Sequence, residues 1–181
     1  IRSAKQDKYD QNQAFKFGVY GVLYVDKQGN RFMDEGQLVD YPMSYGSEPI
    51  IRNSPYYAVV DQAYVDAMKT KGLYEYTKEK GAPDNWTIGN YYKGRILTNL
   101  DADIEEGIKE GWIYKADTIE ELAKFFGTTN LKETVDQYNS YVEQGKDLQF
   151  GKDPMYLSPI KTGPFYIIEK EFSAWCTLGG I

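Results

Sequence analysis

The chain has 181 residues, enough to bury a core as one domain, with 41% hydrophobic and 27% charged residues in the ordinary range for a globular protein. Twenty-one Lys and Arg against 27 Asp and Glu leave a net charge of -6, and no basic stripe is present, which excludes a phosphate-backbone binder. One cysteine and no histidine exclude an internal disulfide, a Cys/His zinc site and a His-dependent triad, and no apolar stretch approaches the roughly 20 residues of a membrane span.

Residues 1–14 are polar and irregular and read as an entry segment, with a single α+β domain over 15–181. From Phe15 to Asp26 the run is rich in β-formers, Lys27-Gln28-Gly29-Asn30 is a turn, and Arg31-Phe32-Met33 returns, so the pattern predicts a hairpin. Residues 37–55 carry Pro42, Pro49 and Pro55 with Gly46 and read as one long loop. Tyr56 to Val60 is the next strand, and Asp61 is placed to cap a helix that runs to about Lys71 and is closed by Gly72.

Residues 81–95 are again irregular, with Pro83, Gly89 and Gly94 separating Trp86, Tyr91 and Tyr92; Asn85-Trp86-Thr87 fits a glycosylation triplet, a pattern short enough to arise by chance. Asp101 or Asp103 starts a short helix with Ile104 and Ile108 on one face, ended near Gly111. Thr118-Ile119-Glu120-Glu121 has the form of a capping box, with Ile119, Leu122 and Phe126 sharing a face and Gly127 as the stop. Asn130 and Glu133 open the next helix, whose Leu131, Val135, Tyr138 and Val142 make an apolar core stripe up to Gly145.

The end of the chain holds two aromatic and β-branched runs, then Thr177-Leu178-Gly179-Gly180-Ile181. A glycine pair after a strand lets the backbone approach an object closely, so the turn either faced a ligand in a longer protein or is a plain hairpin turn near a terminus. Seventeen tyrosines within 15% aromatic content suit a half-buried sheet, and equally a platform for a sugar, a flavin or a partner protein.

Two sets of motifs then become specific. Gly29-Asn30-Arg31-Phe32-Met33-Asp34-Glu35 resembles the G-x-R-F-x-N-E segment of fumarate-reductase-like flavoproteins, the group that includes flavocytochrome c fumarate reductase. Residues 116–123, Leu131 to Gly145 with Tyr138-Asn139, Lys146-Asp147 with Phe150-Gly151-Lys152, Gly163 to Tyr166 and Thr177 to Gly180 resemble that family's capping domain in the same order.

The resemblance implies an α+β cap, a small mixed sheet with several short helices, inserted into an FAD-binding domain of the same parent chain and closing over a small-molecule substrate. It implies that Thr177, Leu178, Gly179 and Gly180 lie against the flavin. No G-x-G-x-x-G fingerprint is present, so the expectation is that this piece neither retains FAD nor turns over alone.

The family's substrate-clamping positions depart from pattern: Val39 stands where an Arg follows the N-E pair, Val65 near the Arg that serves as proton donor, and Trp175-Cys176 where a His-His precedes the glycine turn. With Glu35 these residues are the substrate-pocket candidates, and the loss of cationic groups argues against fumarate or succinate. Arg31 reads as a structural ion-pair partner, while Arg52 and Arg95 are loop cations able to replace a missing clamp. The competing reading is an aromatic-rich binding module for a carbohydrate or a protein.

Overall fold

The structure is a computed structural model that describes residues 22–40, 47–82, 84, 93–127 and 130–170. Four strands, β1 (Leu23–Val25), β2 (Tyr56–Asp61), β3 (Ile113–Ala116) and β4 (Phe165–Lys170), form one sheet in the order β1-β2-β4-β3. All three pairings are antiparallel, so the α+β class holds while the mixed pairing expected from the resemblance is replaced by antiparallel pairing among the described strands. Around the sheet lie α1 (Gln37–Asp40), α2 (Ser47–Asn53), α3 (Gln62–Thr70), α4 (Gly72–Lys78), α5 (Leu100–Glu110), α6 (Ile119–Ala123) and α7 (Asn130–Gln144).

The central strands are buried on both faces, which is why Tyr56 to Val60 reads as an unbroken apolar run. Tyr56, Ala58 and Val60 of β2, with Tyr166 and Ile168 of β4, pack on Val65, Met68, Leu73, Leu100 and Trp112. The alternate residues Tyr57, Val59, Phe165 and Ile167 pack on Ile119, Leu122, Leu131, Val135 and Tyr138. The result is a layer of α3, α4 and α5 on one side and of α6 and α7 on the other.

Several local expectations hold. Asp61 caps α3 by accepting from Tyr64 N at 2.9 Å, and Thr118 Oγ1 accepts from Glu121 N at 3.2 Å at the head of α6. Gly111 and Gly127 end their segments in the left-handed conformation.

Others are corrected. The hairpin return is a single bridge, Val25 to Arg31, because past Arg31 the Glu35 side chain takes the Tyr24 N–H that a returning strand would pair. Part of the long loop is helical: α2 tolerates Pro49 in its first turn, where no intrahelical N–H is needed, and is braced by Arg52 Nη2 on Glu48 Oε1 at 2.6 Å and Asn53 Nδ2 on Pro49 O at 2.8 Å. Gly72 does not merely stop a helix but begins α4, with φ +75° and no room for a side chain, since a Cβ there would lie 2.1 Å from Arg95 O. On α5 the buried positions are Leu100, Ile104 and Gly107, and Ile108 is exposed.

Asp61 does more than cap. Its other oxygen accepts from Lys161 N at 2.9 Å and Thr162 N at 3.0 Å, so one buried carboxylate joins the start of α3 to the segment leading into β4. Asp61→Ala removes a cap and strands two further backbone donors, and is expected to cost about 2–4 kcal/mol in urea unfolding. A loss within the error of the measurement would show that water satisfies those donors equally well.

Candidate functional site

Two of the motifs, residues 29–35 and 146–152, meet at the open edge of β1. After β1, Asp26 Oδ1 accepts from Gln28 N and Asn30 N at 2.8 and 2.9 Å, which folds the chain back and sets Arg31 beside Val25. Four residues on, Glu35 points inward. Across the molecule, Asp147 follows the end of α7 and accepts from Gln149 N at 3.0 Å and Phe150 N at 3.3 Å through Oδ1, and from Lys152 N at 3.0 Å through Oδ2. That loop returns Lys152 to the same place.

Glu35 is fully buried and its carboxylate is saturated. Oε1 accepts from Tyr24 N and Arg31 Nε, both at 3.0 Å, and Oε2 faces Arg31 Nη2 at 2.8 Å and Lys152 Nζ at 3.2 Å. Arg31 Nη2 also meets Asp147 Oδ2 at 2.8 Å, and the Arg31 guanidinium carbon lies 5.2 Å from the ring centroids of both Tyr138 and Phe150. Lys152 Nζ further donates to Tyr138 OH at 3.1 Å and Val22 O at 3.3 Å.

Two cations and two anions therefore share one dry site. Burial alone drives the Glu35 carboxyl up, but Lys152 and Arg31 reverse this and hold it below its ordinary 4.5. Burial likewise opposes the charged form of Asp147, and Arg31 with the Gln149 and Lys152 amides keeps it below 3.8. Burial disfavours the Lys152 ammonium, yet Glu35 outweighs it and the pKa is raised; Arg31 is raised in the same way.

Arg31 Nη1 is buried without a hydrogen-bond partner. Beside this cluster opens a cleft of about 390 Å³ lined by Asn30, Arg31, Asn130, Glu133, Thr134 and Gln149, among others. Its walls are polar and carry a carboxylate, so it suits water or a small polar molecule and lacks the apolar lining that holds a ring system. Among the described residues no group of His, Cys, Asp and Glu is arranged to hold a metal ion, and no helix is long and apolar enough to cross a membrane.

The predicted pocket residues do not assemble into one described site. Glu35 is committed to the cluster, and Val65 is fully buried in α3 against the sheet. Val39 lies in α1, and Trp175, Cys176, Thr177, Leu178, Gly179 and Gly180 fall outside the described residues. Arg52 is exposed and paired with Glu48, and Arg95 is exposed. Sequence reasoning missed Tyr138, placed on an apolar stripe and treated as core, and Lys152; the signal for Lys152 was the Lys-Asp-x-x-Phe-Gly-Lys spacing, whose Asp folds the loop back.

No protein-family model matches the chain. A vinyl phenol reductase of Lactiplantibacillus plantarum is 30% identical over 169 residues, which is 91% of this chain and 32% of that protein. An NADH:acrylate oxidoreductase of Vibrio harveyi is 42% identical over 161 residues, 88% of this chain and 13% of that protein. Among solved structures, the open conformation of a flavocytochrome c3 fumarate reductase matches with a TM-score of 0.53 at 25% identity, over 87% of this chain and 22% of that one. The chain thus spans a third or less of the length of these relatives.

Glu35→Gln keeps the shape and removes one anion, leaving a buried excess of positive charge. It is expected to cost about 3–5 kcal/mol in chemical unfolding. In the unaltered chain both carboxyls are depressed by folding, so their stabilisation is complete above the ordinary values of 4.5 and 3.8 and is lost as the pH falls through the folded values. Thermal melts between pH 7 and pH 3 are expected to show a steep drop below about pH 4.5, and Glu35→Gln a shallower one.

Proposed function

Since the chain is homologous to one section of the fumarate-reductase-like flavoproteins and has the α+β fold of that section, we infer that it is the substrate-capping domain of an FAD-dependent oxidoreductase that reduces an activated C=C bond or runs the reverse dehydrogenation. The observation that carries this is coverage: about nine-tenths of the chain aligns, against a third or less of each relative. A free-standing binding module has no reason to match reductases in that way.

The described residues do not fit FAD. They contain no nucleotide fingerprint, and the polar cleft beside Arg31 has no apolar wall for an isoalloxazine ring. The flavin and the hydride transfer belong to the FAD-binding domain of the intact protein, and the cap contributes by covering the substrate and excluding water. The isolated 181-residue chain is expected not to bind FAD stoichiometrically in a fluorescence titration.

By the resemblance, Val39 and Trp175-Cys176 stand where a dicarboxylate clamp would supply charge, while Val65, aligned near the proton donor, is buried against the sheet. Acrylate has one carboxylate and vinyl phenol has none, which agrees with a less cationic pocket, whereas other matches bear the name fumarate reductase, and fumarate is a dicarboxylate. The intact FAD-loaded protein, supplied with a reduced dye, is expected to reduce acrylate-like or styrene-like alkenes with kcat/KM about a hundredfold above that for fumarate, the scale of one missing charged donor. Fumarate reduced as well as these alkenes would overturn the substrate reading, and failure with every conjugated alkene would overturn the reductase reading.

A further inference from the structure

The cleft beside the charge cluster is walled by three segments that the fold brings together. Asn130, Glu133, Thr134 and Gln137 recur at the spacing of one face of α7, Asn30 and Arg31 follow the turn after β1, and Gln149 comes from the loop folded by Asp147. The Thr134 hydroxyl donates to Gly29 O at 2.8 Å and ties the helix to the turn. The space between them, about 390 Å³, is at the lower end of what small-molecule sites offer.

A buried cation in this wall has a donor to spare. The Arg31 side chain is 1% exposed; Nε and Nη2 are taken up by Glu35 and Asp147, and Nη1 has no acceptor. In the planar guanidinium, pairing through Nε and Nη2 turns Nη1 away from Glu35. A charged N–H without an acceptor is costly in a dry site, so an oxygen seated against Nη1 from the cleft that Arg31 lines gains more than it would in water.

Charge and donor matching select the kind of occupant. Arg31 and Lys152 already balance Glu35 and Asp147, and Glu133 brings a further negative charge, so a carboxylate or phosphate would be a third anion next to Arg31. An ammonium would suit Glu133 but brings no acceptor to Nη1. The carboxamides of Asn30, Asn130, Gln137 and Gln149 each carry a donor and an acceptor, and a hydroxyl group is likewise both. We propose that this cleft is a binding site for a neutral polyhydroxy compound of monosaccharide size, one hydroxyl oxygen accepting from Arg31 Nη1 and another hydroxyl donating to Glu133. The reading rests on the cleft alone and is independent of the capping assignment.

The test is an NMR titration of the native 181-residue chain, following the backbone amides and the Arg31 side-chain N–H signals. The probes are D-glucose and myo-inositol, with sodium acetate, methylammonium chloride and glycine as charged competitors. Glucose or inositol is expected to give saturable shifts at Arg31, at the α7 face and at Gln149, with a Kd of about 1–10 mM, the scale for a dozen polar heavy atoms. Gln137→Ala, a change at the exposed rim, is expected to weaken that binding about five- to tenfold. Tighter binding of acetate, methylammonium or glycine at the same residues would overturn the neutral class. The absence of any saturable shift with the two neutral probes up to about 100 mM would overturn the site and leave ordered water as the partner of Nη1.

Discussion

The buried Glu35 carboxylate is the contact on which the arrangement of the β1 side depends. An edge strand presents unpaired amide and carbonyl groups, and β1 is an edge strand of only three residues. Its Tyr24 N–H is met by Glu35 and the nearby Val22 carbonyl by Lys152, so two side chains do at this edge what a further strand would do. Without them the buried backbone groups would need water that the packing excludes.

An ionic plug is a costly solution, since taking a charge out of water is repaid only when every remaining lone pair is satisfied. Here repayment is close to complete: Glu35 has four donors, Asp147 has three backbone amides besides Arg31, and Lys152 has Glu35, Tyr138 OH and a carbonyl. Apolar residues could fill the same space, but they would not fix which segments meet. Charge pairing does, because residues 31–35 and 147–152 supply one another's counter-charges.

Much of the fold was legible because local physics agrees with the whole. Asp61, Thr118, Gly111 and Gly127 act where their side chains or backbone freedom predict, and the stripe of α7 is buried at Leu131, Val135 and Tyr138, with Tyr141 buried next to a partly buried Val142. What escaped has identifiable causes. Three prolines made residues 37–55 look structureless, yet Pro49 sits where a helix loses nothing by it. The β3 strand, Ile-Tyr-Lys-Ala, is short and half-exposed and carries no alternating signal of its own; it is recruited by β4. Tyr138 lies on an apolar stripe, and nothing in periodicity reveals that its hydroxyl reaches Lys152 and the Ser158 amide.

The site was less legible than the fold because the motifs that announce the family carry structure. Arg31, Glu35, Asp147 and Lys152 give the resemblance its register, and in the structure they bind one another. Likeness to a reductase through such residues transmits the scaffold and leaves substrate choice to other positions. A sheet covered on both faces, with the buried charges of Arg31, Glu35, Asp147 and Lys152 gathered at its short edge strand and α3 tied by Asp61 to the segment leading into β4, is joined across its layers by buried polar groups as well as by apolar packing.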